Sequence, residues 1–199
     1  MDRAAARHDA RLGAATRVLA ISGSLRADSS STKLAAALAG LAPTGTTVEV
    51  YAGLERICPF DPDRDREGDV PPPSVAHLRA TLAAADAVVI CTPEYAFGVP
   101  GVLKNALDWT VSSGDFADKP AAAISSSPSD LGGDKAYASL VLTLTAMQSR
   151  LVSGGGLIVP MVRKKLDASG AVTDPATADA LRALLAELAA LVARRRIED

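Results

Sequence analysis

Arg17-Val18-Leu19-Ala20-Ile21-Ser22-Gly23-Ser24-Leu25-Arg26-Ala27-Asp28-Ser29-Ser30-Ser31-Thr32 is the stretch whose reading decides the architecture. Val18 to Ile21 form an unbroken apolar run, the pattern of a strand buried on both faces, and Ser22-Gly23-Ser24 ends it. Past the loop, Leu34, Leu38 and Leu41 recur at the spacing of one helix face, with Pro43 as the stop signal. A buried strand that turns through small residues into a helix is the opening unit of a parallel α/β sheet.

Outward from this stretch the unit repeats. Residues 46–51 read as a second strand, and Val75, Leu78 and Leu82 mark a second helix. Residues 87–91 read as a third strand that ends at Thr92-Pro93, and Pro100 is placed in the first turn of a third helix with Leu103, Ala106 and Leu107 inward. Residues 121–124 are expected as a fourth strand, 133–151 as a fourth helix and 157–159 as a fifth strand. Asp174, ahead of Pro175, caps a last helix whose Leu181, Leu184, Leu185, Leu188, Leu191 and Val192 form a broad apolar stripe. Five strands alternating with five helices predict a doubly wound five-stranded parallel sheet with helices on both faces. Such sheets bind ligands at the carboxyl ends of their strands, near the point where strand order reverses. The stretch 54–74, with Asp61-Pro62-Asp63-Arg64-Asp65-Arg66-Glu67-Gly68 and Pro71-Pro72-Pro73, resists regular structure and is too long for a plain connection.

Composition narrows the function classes. The 199 residues suit one domain, here 17–199, preceded by an N-terminal extension over residues 1–16 that has no continuous apolar stretch of the signal-peptide kind. With 21 basic and 23 acidic residues the net charge is −2, so no broad positive field draws in a nucleic acid. No window is apolar enough for a membrane span, and the expected location is the cytoplasm. Cys58 and Cys91 stand far apart and away from His8 and His77, which argues against a metal site and for inert, reduced thiols.

The first loop is where chemistry gathers. It holds five serines besides Thr32 and Arg26, just ahead of a helix N-terminus with its unsatisfied N–H groups and positive partial charge. Hydroxyls of Ser24, Ser29, Ser31 and Thr32 with the Arg26 guanidinium would make a phosphate shell, although Ser and Thr also cap helices that bind nothing. Neither G-x-x-x-x-G-K-[ST] nor G-x-G-x-x-G is present, which argues against an ATPase and an ordinary dinucleotide fold.

After the third strand comes Thr92-Pro93-Glu94-Tyr95-Ala96-Phe97-Gly98-Val99-Pro100-Gly101-Val102-Leu103-Lys104-Asn105-Ala106-Leu107-Asp108-Trp109. It resembles the P-E-Y-N-x-[SG]-x-P-G-x-L-K-N-A-x-D-W signature of the NADPH-dependent FMN reductase family, flavodoxin-like proteins that include quinone, chromate and azo-dye reductases. Gly23-Ser24-Leu25-Arg26 is similar to that family's phosphate loop, and Ser127-Pro128-Ser129-Asp130-Leu131-Gly132-Gly133 to its S-P-G-x-x-G-G segment. The likeness covers about residues 17–160, with the motifs in the family's order. Ala96 stands where the family has Asn, and Ser129 where it often has Gly.

The resemblance implies a flavodoxin-like fold, FMN as cofactor and NADPH or NADH as donor. Ser24, Arg26, Ser29, Ser31 and Thr32 would surround the FMN phosphate. Pro93, Glu94, Tyr95, Ala96, Phe97 and Gly98 would lie along the ribityl chain and ring, with Ser127, Gly132 and Gly133 on the other side. Quinone, free flavin, chromate or an azo compound would accept electrons in a ping-pong cycle, and the chain would form a homodimer or homotetramer. The flavin carries the difficult chemistry, so no side chain is expected to be catalytic. Lys104, Asp108 and Trp109 have helical spacing and read as structural, whereas Glu94 is read either as a cofactor contact or as a helix-terminus charge. A flavodoxin-like electron carrier without donor activity, or a non-catalytic binding module, stands as the alternative.

Overall fold

In the computed structural model, which describes residues 14–26 and 28–198, β1 (Thr16–Ser22) is an interior strand of the sheet, extending two residues before and one residue after its apolar run Val18–Ile21. The elements that follow are α1 (Ser30–Leu41), β2 (Thr46–Val50), α2 (Pro73–Ala84), β3 (Ala87–Thr92), α3 (Gly101–Asp108), β4 (Pro120–Ser126), α4 (Asp134–Ala146), β5 (Arg150–Val159) and α5 (Pro175–Glu198). All strand pairs are parallel, in the order β2-β1-β3-β4-β5. Residues 1–13, and with them most of the expected N-terminal extension, lie outside the described residues.

The pleat sorts the core into two layers, because successive strand residues face opposite sides. Leu19, Ile21, Val88, Ile90, Ala121 and Ala123 pack with α2, α3 and α4 through Leu78, Leu82, Leu103, Leu107 and Leu140. Val18, Ala20, Val89, Cys91 and Ile124 pack with α1 and α5 through Leu34, Leu38, Leu181, Leu185 and Leu188. From β1 the chain moves first to β2 on one side and later to β3 on the other. The order therefore reverses between β1 and β3, and the loops after these strands diverge there to leave a crevice. Burial pushes the Cys91 thiol up to about 12, which makes it inert; Cys58 is partly exposed, and neither forms a disulfide.

Three expectations need correction. The fourth helix stops at Ala146, not at 151, because Gln148 takes a left-handed conformation (φ 60°) and closes a Schellman cap. In that cap the Ser149 amide donates to the Leu144 carbonyl at 3.0 Å and the Gln148 amide to that of Thr145 at 2.9 Å. Residues 150–156 belong instead to β5, which is ten residues long. Its pairing jumps from Ala121↔Leu151 to Ala123↔Gly156, a bulge through Gly154-Gly155-Gly156 that looks like a loop in sequence. Pro100 is not in the first turn of α3 but caps it in an extended conformation (φ −55°, ψ 141°), and Gly101 opens the helix. Asp174 caps α5 as expected, its carboxylate accepting the Thr177 amide at 2.9 Å.

The long loop, expected over 54–74, ends at Pro72, the cap of α2, and is held down from outside itself. Short 3-10 turns at Leu54–Arg56 and Pro62–Arg64 punctuate it. Trp109, fully buried, donates from Nε1 to the Cys58 carbonyl at 2.8 Å, and Asn105 donates to the same oxygen at 2.9 Å while accepting the Phe60 amide at 2.7 Å. Arg79 reaches Asp65 at 2.6 Å and the Trp109 carbonyl at 3.0 Å. Asn105 and Trp109 of the α3 signature therefore anchor a loop, and Lys104 pairs with Asp108 along the outside of α3 at 2.5 Å.

Candidate functional site

Loop 1, residues 23–29, leaves β1 through a gap only glycine fits. A Cβ on Gly23 would lie 2.9 Å from both Leu103 Cδ2 and Thr92 Oγ1, while its amide donates to the Cys91 carbonyl at 2.8 Å. Serine hydroxyls then turn the chain: Ser22 Oγ accepts the Ser24 amide and Ser24 Oγ accepts the Arg26 amide. Ser29 stands at the N-cap of α1 with extended backbone (φ −89°, ψ 132°), but its side chain makes no capping bond. Ser31 and Thr32 are committed elsewhere. The Ser31 hydroxyl bonds that of Ser126 at 3.0 Å, tying α1 to β4, and the Thr32 hydroxyl bonds that of Ser22 at 2.8 Å.

A cleft of about 470 Å³ opens beside this loop, within the range of small-molecule sites. Of the residues singled out from sequence, Ser24, Arg26, Ser29, Ser31, Pro93, Glu94, Tyr95 and Ser127 line it. Thr32, Ala96, Phe97, Gly98, Gly132 and Gly133 do not.

The loop after β3 forms a small paired turn. The amides and carbonyls of Tyr95 and Gly98 exchange two bonds of 3.0 Å, and Ala96 (φ 48°) and Phe97 (φ 61°) both take left-handed backbone. That is the geometry of a type I′ turn, which favours Asn and Gly. Alanine and phenylalanine there cost on the order of 1 kcal/mol each. The turn leaves Tyr95 half-exposed at the cleft and Phe97 78% exposed.

Glu94 sits at the cleft but spends its carboxylate on the fold. Its Oε2 accepts the amides of Lys135 at 2.9 Å and Ala136 at 3.0 Å, and so caps α4 from a distant loop. Glu94→Ala should lower stability by about 1–2 kcal/mol through loss of that cap. For a chain of this size the thermal midpoint should fall by roughly 2–8 °C. Glu94→Gln, which keeps an acceptor oxygen, should recover most of the loss in the same melting experiment.

Gly132 (φ 65°) and Gly133 (φ 81°) answer to backbone passage. A Cβ on Gly132 would come within 2.5 Å of Ile158 Cγ2 and 2.9 Å of the Pro160 nitrogen, and one on Gly133 within 3.3 Å of Glu94 Cβ. The turn they form is braced by Ser125, whose hydroxyl donates to the Gly132 carbonyl at 3.0 Å. Ser127 and Ser129 share a hydroxyl contact of 2.9 Å.

One part of the cleft went unread in the sequence. The segment after β5, with a 3-10 turn at Val162–Lys164, brings Val162, Arg163, Leu166, Asp167 and Ala168 to the lining, joined by Asp28, Ser30, Lys33, Ser126 and Pro128. It is pinned to the β4 loop, the Met161 amide donating to the Ser129 carbonyl at 2.9 Å and that of Val162 to Ser127 at 3.0 Å. The run Arg163-Lys164-Lys165 directly after a strand end was the available signal. Lys33 pairs with Asp28 at 2.5 Å and, with smaller contributions from Arg26 and Arg163, holds the Asp28 carboxyl below its usual range. This end of the cleft is thus rich in cations. Among the described residues no three His, Cys, Asp or Glu side chains converge to hold a metal, and no helix is long and apolar enough to cross a membrane.

Comparison with known proteins agrees with this geometry. The family model described as NADPH-dependent FMN reductase matches residues 16–164. The NAD(P)H-dependent FMN reductase of Pseudomonas aeruginosa is 32% identical over 182 residues, covering 90% of this chain and 97% of that protein. The quinone reductase of Escherichia coli K12 is 31% identical over 184 residues, covering 91% and 97%. Among solved structures, the flavoenzyme NAD(P)H:(acceptor) oxidoreductase of Paracoccus denitrificans superposes with a TM-score of 0.79 at 28% identity, covering 90% of this chain and 98% of that one. A flavodoxin-like sheet with a serine- and arginine-bearing loop at its switch point, matched by reductases over about nine-tenths of the chain, places the chain in the NADPH-dependent FMN reductase family, as an FMN-dependent NAD(P)H oxidoreductase.

Proposed function

We propose that the cleft at the carboxyl ends of β1, β3 and β4 holds FMN and that the chain uses it to pass electrons from NAD(P)H to quinones. The observation that carries this reading is loop 1. Arg26, with no hydrogen bond from its guanidinium among the described residues, shares the cleft with Ser24, Ser29 and the opening turn of α1, whose cap side chain makes no bond of its own. These are the donors that a phosphate monoester requires. The residues present fit the group: Gly23 lets loop 1 leave β1 tight against Thr92 and Leu103, and half-exposed Tyr95 offers a flat apolar wall at the cleft's edge.

When bound, FMN supplies the hydride-accepting and electron-passing chemistry. The chain's own part is to bind and orient. Loop 1 would fix the phosphate end, and Pro93, Glu94 and Tyr95 would border the rest of the cofactor. The amides of the β3 and β4 loops are the groups able to stabilise charge that grows on reduction. Glu94 serves this indirectly, by locking the β3 loop to α4. Since one open cleft would serve donor and acceptor in turn, a ping-pong order follows.

Support for a quinone as acceptor comes from the similar Escherichia coli protein, a quinone reductase. The exposed Phe97 and Leu131 near the site, 78% and 63% accessible, are the kind of rim that a homodimer would cover. Two thiols outside any disulfide fit a reducing cytoplasm. The test is reconstitution with FMN followed by initial-rate measurement with NADH or NADPH against a benzoquinone series. Parallel double-reciprocal lines are expected. A protein that stays colourless after FMN incubation and turns over no quinone would sink the proposal, and sedimentation of the reconstituted protein as a monomer would remove the dimer.

A further inference from the structure

The loop-1 motif supplies one full positive charge, whereas a phosphate monoester carries about −1.5 to −2 at neutral pH. Lys33, the other cation of that region, is already paired with Asp28 at 2.5 Å. The segment after β5 brings one more. Arg163 lines the same cleft as Arg26, Ser24 and Ser29, yet it comes from a 3-10 turn more than 130 residues further along the chain. Its backbone is fixed: Val162 is fully buried, and the Met161 and Val162 amides are bonded to the carbonyls of Ser129 and Ser127. Its side chain is uncommitted, with no hydrogen bond or ion pair among the described residues, whereas Arg79, Arg150, Arg182 and Arg196 all have carboxylate partners. A guanidinium stays charged at every relevant pH and presents a planar fork that matches phosphate oxygens.

We infer that Arg163 is a second guanidinium ligand for the phosphate monoester of FMN, so that loop 1 and the segment after β5 hold the cofactor's anionic end between them. The inference rests on the proposed FMN cleft and adds a residue that no loop-1 motif contains. Arg163 shares its stretch of the cleft lining with Asp28, Ser29 and Lys33, and, behind Lys33, it joins Arg26 in lowering the Asp28 carboxyl. Lys164, its neighbour on the same turn, carries the same charge but does not line the cleft. It separates a contact from a general field.

The experiment is titration of the apoprotein with FMN and with riboflavin, followed by flavin fluorescence, for wild type, Arg163→Ala, Arg163→Lys and Lys164→Ala. Arg163→Ala should weaken FMN about tenfold, the effect of one lost charge-assisted contact, and leave riboflavin unchanged. Arg163→Lys should keep part of the FMN affinity, and Lys164→Ala should bind both flavins like wild type. Equal weakening of FMN and riboflavin by Arg163→Ala, an equal effect of Lys164→Ala, or no effect at all would overturn the assignment. So would an effect confined to the KM for NADPH relative to NADH at saturating FMN, since the donor's phosphate would then be the partner. Wild type that binds neither flavin would instead remove the FMN cleft itself, and the assignment with it.

Discussion

Gly156→Ala is expected to destabilise the protein by roughly 4 kcal/mol or more, at the far end of single-substitution effects. The thermal midpoint should fall by roughly 8–16 °C for a chain of this size. An ideal Cβ at this position would lie 1.8 Å from the Ala123 carbonyl oxygen and 2.8 Å from that residue's nitrogen and carbonyl carbon. Those atoms belong to the backbone of β4, inside the parallel ladder, and no flexible side chain can yield in their place. The residue also sits at φ 142°, outside the range that L side chains adopt readily. Gly154→Ala is the comparison, since it meets a positive φ of 69° but nothing within 4 Å, and should cost only the backbone strain of about 1–2 kcal/mol. Urea or thermal unfolding of the two variants checks the pair. Equal, small losses would mean that β5 shifts register at no cost and that the bulge is not fixed by Gly156.

Arg26→Ala is expected to reduce FMN affinity by about one to two orders of magnitude, from loss of two charge-assisted hydrogen bonds in a bidentate contact. Riboflavin, which has no phosphate, should bind the variant as it binds wild type. The fold should be untouched, because only the Arg26 amide takes part in the loop's internal bonds and every residue but proline carries one. Arg26→Lys should recover less than half of the lost free energy, a point charge being unable to reproduce the fork. The double variant Arg26→Ala, Arg163→Ala separates independent from shared roles. Additive losses would indicate two separate contacts, and a non-additive result that both arginines grip one group. Unchanged FMN affinity in Arg26→Ala would show that the phosphate lies elsewhere, whatever Arg163 does.

The strained turn at Ala96-Phe97 belongs to the same economy. Asn at position 96, the residue of the family signature, tolerates left-handed backbone far better than Ala does. Here the left-handed conformation persists without it, held by the two Tyr95–Gly98 bonds and by Glu94 fastened to α4 just before the turn. Strain of this kind collects at binding sites, where the surrounding structure over-determines the backbone.

What was legible in the sequence follows from local rules. The apolar runs of β1 and β3, the 3.6-residue stripes of α1 and α5, and the Asp174 cap each depend on residues a few positions apart, so periodicity and turn chemistry suffice to read them. The same holds for the approximate place of the site, because a doubly wound sheet puts the loops after β1, β3 and β4 at one edge whatever their sequence. Long-range placement was not legible. The Gly154-Gly155-Gly156 bulge reads as a loop until β4 lies beside it, and the sequence leaves Glu94 open between a cofactor contact and a helix-terminus charge until α4 brings two free amides within 3.0 Å. Arg163 stands in a run of three basic residues and meets the cleft only because the segment after β5 folds back against Ser127 and Ser129. A residue's backbone preference is set by its neighbours in the chain, but the partner that its side chain meets is set by whichever distant segment the closed sheet delivers, and only the tertiary structure decides that.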